Sequence, residues 1–127
     1  MSVSLNHAIV FAADKHESAS FFTSLFALPE AESWGLFRIV ELDNGGSILF
    51  AEPGVEIQPQ HLAFLVSEVD FDGIYGRIVE GNLEHWADPR KSAPGTFNTN
   101  NGGRGVYFND PAGHNLEVLT RSDRADA

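Results

Sequence analysis

The five histidines of this 127-residue chain are its first chemical resource. The sequence holds no cysteine, so any metal would have to be bound by imidazole and carboxylate groups. Two of the histidines open apolar stretches, His7-Ala8-Ile9-Val10-Phe11 and His61-Leu62-Ala63-Phe64-Leu65. Side chains alternate across a strand, which puts His7 on one face with Leu5, Ile9 and Phe11, and His61 on one face with Ala63 and Leu65. Glu117 stands alone as the charged residue of Asn115-Leu116-Glu117-Val118-Leu119-Thr120. A carboxylate turned toward the interior there is expensive unless a cation receives it. Two imidazoles and one carboxylate on three strands of a concave sheet would form a facial ligand set with open positions for water, substrate or oxygen. The competing reading makes His7 and His61 core histidines bonded to backbone and turns Glu117 to solvent. Against it, the two histidines hold matching places in a repeated pattern.

That pattern runs along the chain. A strand over Leu5–Ala13 leads into a helix over Lys15–Leu28, with Asp14 and Glu17 spaced as a capped helix start and Pro29 ending the apolar periodicity. Strand-like segments follow at Glu32–Leu36, Phe37–Leu42 and Ser47–Glu52, the last after the turn Asp43-Asn44-Gly45-Gly46. The order then begins again. His61–Ser67 reads as a strand, and Asp70 as the cap of a helix carrying Phe71, Ile74 and Ile78 and ending at Gly81. A weak strand at Glu84–Ala87 precedes the Pro-, Asn- and Gly-rich loop Lys91–Gly103. The strands Gly105–Asn109 and Asn115–Arg121 are joined by Asp110-Pro111-Ala112-Gly113. Superposing His7–Val10 on His61–Phe64 gives a separation of 54 residues, which points to duplication of one βαβββ unit. The expected organisation is one α+β domain, 1–127, built of two modules at about 3–53 and 58–121. The polar, alternately charged end Ser122–Ala127 carries no element.

Composition narrows the partners. Eight Lys and Arg against 18 Asp and Glu give a net charge of −10, which repels nucleic-acid phosphates and anionic lipid. The N-terminal segment has no basic region, and its apolar run Ala8–Ala13 is six residues long, too short for a signal-peptide core or a membrane span. A cytoplasmic protein acting on a small molecule, with neither nucleic acid nor membrane as partner, is the simplest reading.

The two repeat-matched histidines, together with the ending Gly103–Val118 (Gly-Arg-Gly-Val-Tyr-Phe-Asn-Asp-Pro-Ala-Gly-His-Asn-Leu-Glu-Val), resemble the vicinal oxygen chelate superfamily. That group includes glyoxalase I, extradiol dioxygenases, fosfomycin-resistance thiol transferases and bleomycin-resistance proteins. The resemblance covers about residues 3–121, and its most specific element is the Asp-Pro-x-Gly-His-x-x-Glu ending at Asp110–Glu117. It implies that each βαβββ module forms half of an incompletely closed barrel and that two chains pair as a homodimer. It also implies that His7, His61 and Glu117 bind one divalent metal ion, for which Fe, Mn, Ni and Zn all suit the ligand types.

The departures bear on the reaction. Glyoxalase I carries a fourth ligand, a Glu on the last strand of the first module, and placing Gly46–Phe50 on Gly113–Glu117 puts the apolar Phe50 there. Glu52 shares its face and would serve only in a strand shifted by two residues. Extradiol dioxygenases are much longer and carry a His acid–base before the second ligand, whereas Glu41–Gln60 holds no His. Fosfomycin-resistance transferases share a Tyr ten residues before the Glu, here Tyr107 and Glu117, but the Thr they carry two residues after the first His is Ile9 in this chain. Tyr107 is the candidate catalytic residue, able to orient or protonate a bound oxygen, or else an amphipathic core tyrosine. Arg104 is the candidate for a substrate carboxylate, or a solvated loop cation. Trp34 and Phe50, with Trp86, line an apolar pocket or serve as core aromatics. The expected function is a divalent-metal-dependent small-molecule enzyme of the glyoxalase/dioxygenase type, whether lyase, isomerase, transferase or oxygenase. The alternative is a metal-free small-molecule or drug-binding protein like the bleomycin-resistance group.

Overall fold

The computed structural model describes residues 2–122, so the polar end from 123 onward lies outside the described residues. The chain divides into two compact units, the first ending at Gln58 and the second beginning at Pro59. Unit 1 contains β1 (His7–Phe11), α1 (Lys15–Leu25), β2 (Glu32–Trp34), β3 (Phe37–Glu41) and β4 (Ser47–Ala51). Unit 2 contains β5 (His61–Leu65), α2 (Glu68–Glu80), β6 (His85–Trp86), β7 (Gly105–Asn109) and β8 (Asn115–Leu119), with a short 3-10 turn at Asn100–Gly102 inside the long loop. The fold is α+β, and the βαβββ order occurs twice. The strand orders are β1-β4-β3-β2 and β5-β8-β7-β6, so neither sheet closes on itself. In each, the first strand runs parallel to the fourth while the remaining neighbours are antiparallel. Among the described residues no helix is long and apolar enough to cross a membrane.

The helix ends show how closely the units correspond. The Asp14 carboxylate accepts from the His16 and Glu17 amides at 3.0 and 3.1 Å, as its spacing predicts. In unit 2 the cap is Ser67, whose hydroxyl oxygen accepts from the Asp70 amide at 3.1 Å; Asp70 itself lies inside the first helical turn, where its charge suits the helix dipole. Helix α1 stops at Leu25, short of the expected Leu28, because Ala27 turns left-handed (φ 53°) and the Leu28 amide donates back to the Thr23 carbonyl at 3.0 Å. Helix α2 closes in the same way: Asn82 is left-handed (φ 52°), and the Leu83 amide donates to Ile78 O at 3.0 Å. Both exits are the 6→1 bond of a Schellman motif, built without the usual glycine.

Each unit has its own core. In unit 1, Val10, Phe22, Val40, Ile48 and Phe50 are buried, with the Phe22 and Phe50 ring centres 5.2 Å apart. In unit 2, Phe71, Ile74 and Ile78 bury the apolar stripe of α2, and Val106, Phe108, Leu116 and Val118 are buried on alternate positions of β7 and β8.

Candidate functional site

Register decides which side chains share a face. In unit 2, Glu117 on β8 stands between Ala63 on β5 and Tyr107 on β7, and His61 is opposite Asn115, one alternation along the same face. The structure brings His61 and Glu117 together: His61 Nε2 lies 3.1 Å from Glu117 Oε1. Glu117 is only 5% exposed, flanked in its strand by the buried Leu116 and Val118, whereas the His61 side chain is 49% exposed. The Tyr107 ring centre is 6.2 Å from that of His61. A buried carboxylate and a half-open imidazole are donors that a divalent cation accepts, and the cation would offset the burial of the charge. Among the described residues of unit 2 no third His, Asp or Glu joins the pair in a cluster able to hold a metal ion.

His7 holds the matching place in unit 1, opposite Ser47 on β4. Its Nδ1 lies 2.8 Å from Asn6 Oδ1, a partner for an Nδ1–H, so Nε2 is the ring nitrogen placed to act as a ligand. Trp34 pairs with Phe37, whose face includes Ile39, Leu49, Ile9 and His7. It is 64% exposed and stacks on Phe37 with ring centres 6.2 Å apart.

Two expected site residues lie elsewhere. Phe50 is fully buried against Phe22 of α1, on the opposite face of its sheet from His7. The residue of β4 that corresponds to Glu117 is Leu49, since Leu49 pairs with Ile9 as Glu117 pairs with Ala63. Glu52 follows β4 and accepts from the Lys15 amide at the start of α1, at 3.0 Å. Arg104 is committed to α2. Its Nε donates to Glu68 Oε1 and its Nη1 to Asp72 Oδ1, both at 2.8 Å, and the guanidinium lies 4.4 Å from the Phe71 ring centre. Hydrogen bonds from Thr120 and Arg104 hold the Glu68 carboxyl below its ordinary range. Arg104 precedes β7 in step with Val106 and Phe108, so it faces away from Tyr107 and Glu117.

The turn Asp110–His114 carries the site from behind. Asp110 Oδ1 accepts from the Ala112 and His114 amides at 3.0 and 2.8 Å, with Gly113 left-handed at φ 92°. Burial, the dominant influence, pushes the Asp110 carboxyl up against these hydrogen bonds. The buried His114 accepts at Nδ1 from the Gln60 amide (3.0 Å), and Gln60 O accepts from the Asn115 amide (2.8 Å). The residue before His61 is thereby fixed to the residue that begins β8.

No family model matches the chain. The fold is that of a glyoxalase/dioxygenase from Nostoc punctiforme, with a TM-score of 0.70 at 21% identity over 94% of this chain and 92% of that one. A glutathione transferase FosA from Serratia marcescens is 27% identical over 124 residues, 93% of this chain and 81% of that protein. The solved structure of the oxidase ChaP-H2 is 50% identical, covers 100% of both chains and gives a TM-score of 0.94. The chain belongs to the vicinal oxygen chelate superfamily. Its likeness to named enzymes of that superfamily makes it a small-molecule enzyme of the glyoxalase/dioxygenase type. The relatives of that type depend on a divalent metal. Sequence reasoning missed Leu49 and Asn115 in this region; the parallel pairing of first and fourth strands was the signal that locates both.

Proposed function

We propose that His7, His61 and Glu117 hold one divalent cation, and that the enzyme oxidises, with dioxygen as the electron acceptor, a small molecule which presents two adjacent oxygens to that site. The observation that carries this reading is the His61–Glu117 pair at 3.1 Å, with the carboxylate buried in an otherwise apolar strand. The oxidase reading is taken from ChaP-H2 by likeness. It favours Fe(II) or Mn(II) over Zn(II), which has no redox chemistry. The bound metal would supply Lewis acidity and a path for electrons. Glu117 contributes the negative charge and His61 a neutral donor, while Tyr107, facing the same side of the sheet, orients a substrate oxygen and holds or returns its proton. Val106, Phe108, Leu116 and Val118, buried on the opposite face of the sheet, hold the strands that carry these groups. The acting species is a cytoplasmic homodimer.

The test is a calorimetric titration of chelator-stripped protein with Mn(II) and Zn(II). Wild type takes up about one ion per chain. His61→Ala weakens binding at least about 100-fold, on the scale expected when a ligand is lost. Undiminished binding by His61→Ala removes that residue from the site and overturns the reading.

A further inference from the structure

Beside the candidate metal site, unit 2 holds a recess of about 190 Å³ whose walls include His61, Trp86, Pro89, Lys91, Tyr107 and Asn115. Lys91 brings an ammonium to it, and that ammonium is held. It lies 4.6 Å from the centre of the Trp86 ring and donates to Asn109 Oδ1 at 2.8 Å. Asn109 in turn donates to Asn115 Oδ1 at 3.0 Å, and Asn115 is the register partner of His61. The backbone is held as well. Lys91 is left-handed at φ 61°, an uncommon conformation for a residue with a long side chain. It persists because the Asp88 carboxylate accepts from the Ser92 amide (2.9 Å), the Ala93 amide (3.0 Å) and the Ser92 hydroxyl (2.6 Å), while the Lys91 amide donates to Asp88 O at 3.2 Å. A lysine that served solubility alone would need none of these restraints.

We propose that Lys91 is the specificity-determining residue of this enzyme: its ammonium receives a negatively charged oxygen, carboxylate or phenolate, of a substrate whose vicinal oxygens face the His61–Glu117 pair. In a chain of net charge −10 an anion is repelled at long range, so one fixed cation in the recess decides whether an acidic substrate is accepted. The inference rests on the metal-site reading above.

The test uses Zn(II)-loaded protein and two probes with the same chelating oxygens, 1,2-dihydroxybenzene and 3,4-dihydroxybenzoate. Lys91→Gly removes the ammonium and suits the left-handed backbone, and Lys91→Met removes it with the backbone demand unchanged. Both are expected to weaken the benzoate about tenfold, the scale of one charge-assisted hydrogen bond, with the neutral probe unaffected. Lys91→Arg retains part of the benzoate affinity. Equal loss of both probes, or no loss of the benzoate in Lys91→Gly, overturns the role of Lys91 and leaves the metal site standing. Protein that takes up none of Zn(II), Mn(II), Fe(II) and Ni(II) overturns both readings. A benzoate affinity that weakens with added salt in wild type and not in Lys91→Gly supports the ion pair.

Discussion

In unit 1 the strand parallel to β1 reads Ile48-Leu49-Phe50, and in unit 2 the strand parallel to β5 reads Leu116-Glu117-Val118. The outer residues of each triplet are buried and apolar, on the core face of their sheets. The middle residues share a face with His7 and His61 respectively, and there the units part: a leucine in one, a carboxylate in the other. The turns before these strands differ in the same way. Asp43-Asn44-Gly45-Gly46 closes locally, with Asn44 Oδ1 accepting from the Gly46 amide, whereas Asp110–His114 closes through the Asp110 carboxylate and also reaches back to the residue before His61. The backbone features of the repeat, strand order and Schellman exits, are retained in both units. The chemistry depends on single side chains placed on that common frame.

Four perturbations test this contrast. Phe50→Ala, on the core face, should cost about 4 kcal/mol by opening a cavity against Phe22, measured as a loss in urea-unfolding free energy, with the metal affinity of the folded chain unchanged. Leu49→Glu copies Glu117 of unit 2 into unit 1, on the face that carries His7. It should destabilise the metal-free protein by about 3 kcal/mol, because Leu49 is 5% exposed and the new carboxylate has no cation to receive it. Arg104→Ala should lose about 1 kcal/mol of stability and no metal affinity, since its partners Glu68 and Asp72 are largely exposed; a loss of metal would return Arg104 to the site. The smallest effect is a pH dependence. Burial raises the Asp110 carboxyl above its ordinary 3.8, so folding takes up a proton in the window above that value, and stability falls as pH rises through it. Unfolding midpoints from pH 3.5 to 7 should show Asp110→Asn gaining on wild type as pH increases; a constant difference would contradict the assignment.

Much of this frame was legible in the residues. His7, His61 and Glu117 are visible because each interrupts an apolar strand pattern, and the βαβββ repeat because the same interruption recurs after 54 residues. The assignment of Phe50 failed by one residue. In a strand a one-residue slip moves every side chain to the other face, so aligning the two halves through turns of unequal construction sent Phe50 to the site and hid Leu49. Glu52 was carried along by the same slip. Asp70 has the residue type of a helix cap, but Ser67, three residues earlier, has the extended backbone a cap requires (φ −72°, ψ 164°). Arg104 could not be placed from sequence, because its partners Glu68 and Asp72 lie more than thirty residues away and only the packing of α2 brings them to it. Lys91 gives no sequence signal: its left-handed turn depends on the Asp88 carboxylate, and neither residue departs from ordinary loop composition.

The most direct measurement is the metal content of protein purified without chelators or an affinity tag, beside that of Glu117→Ala. About one ion per chain, lost in the variant, is the expected result. An ion retained by Glu117→Ala, or a wild type that stays empty after exposure to Fe(II), Mn(II), Ni(II) and Zn(II), would contradict the central claim that the buried carboxylate of unit 2 exists to hold a metal.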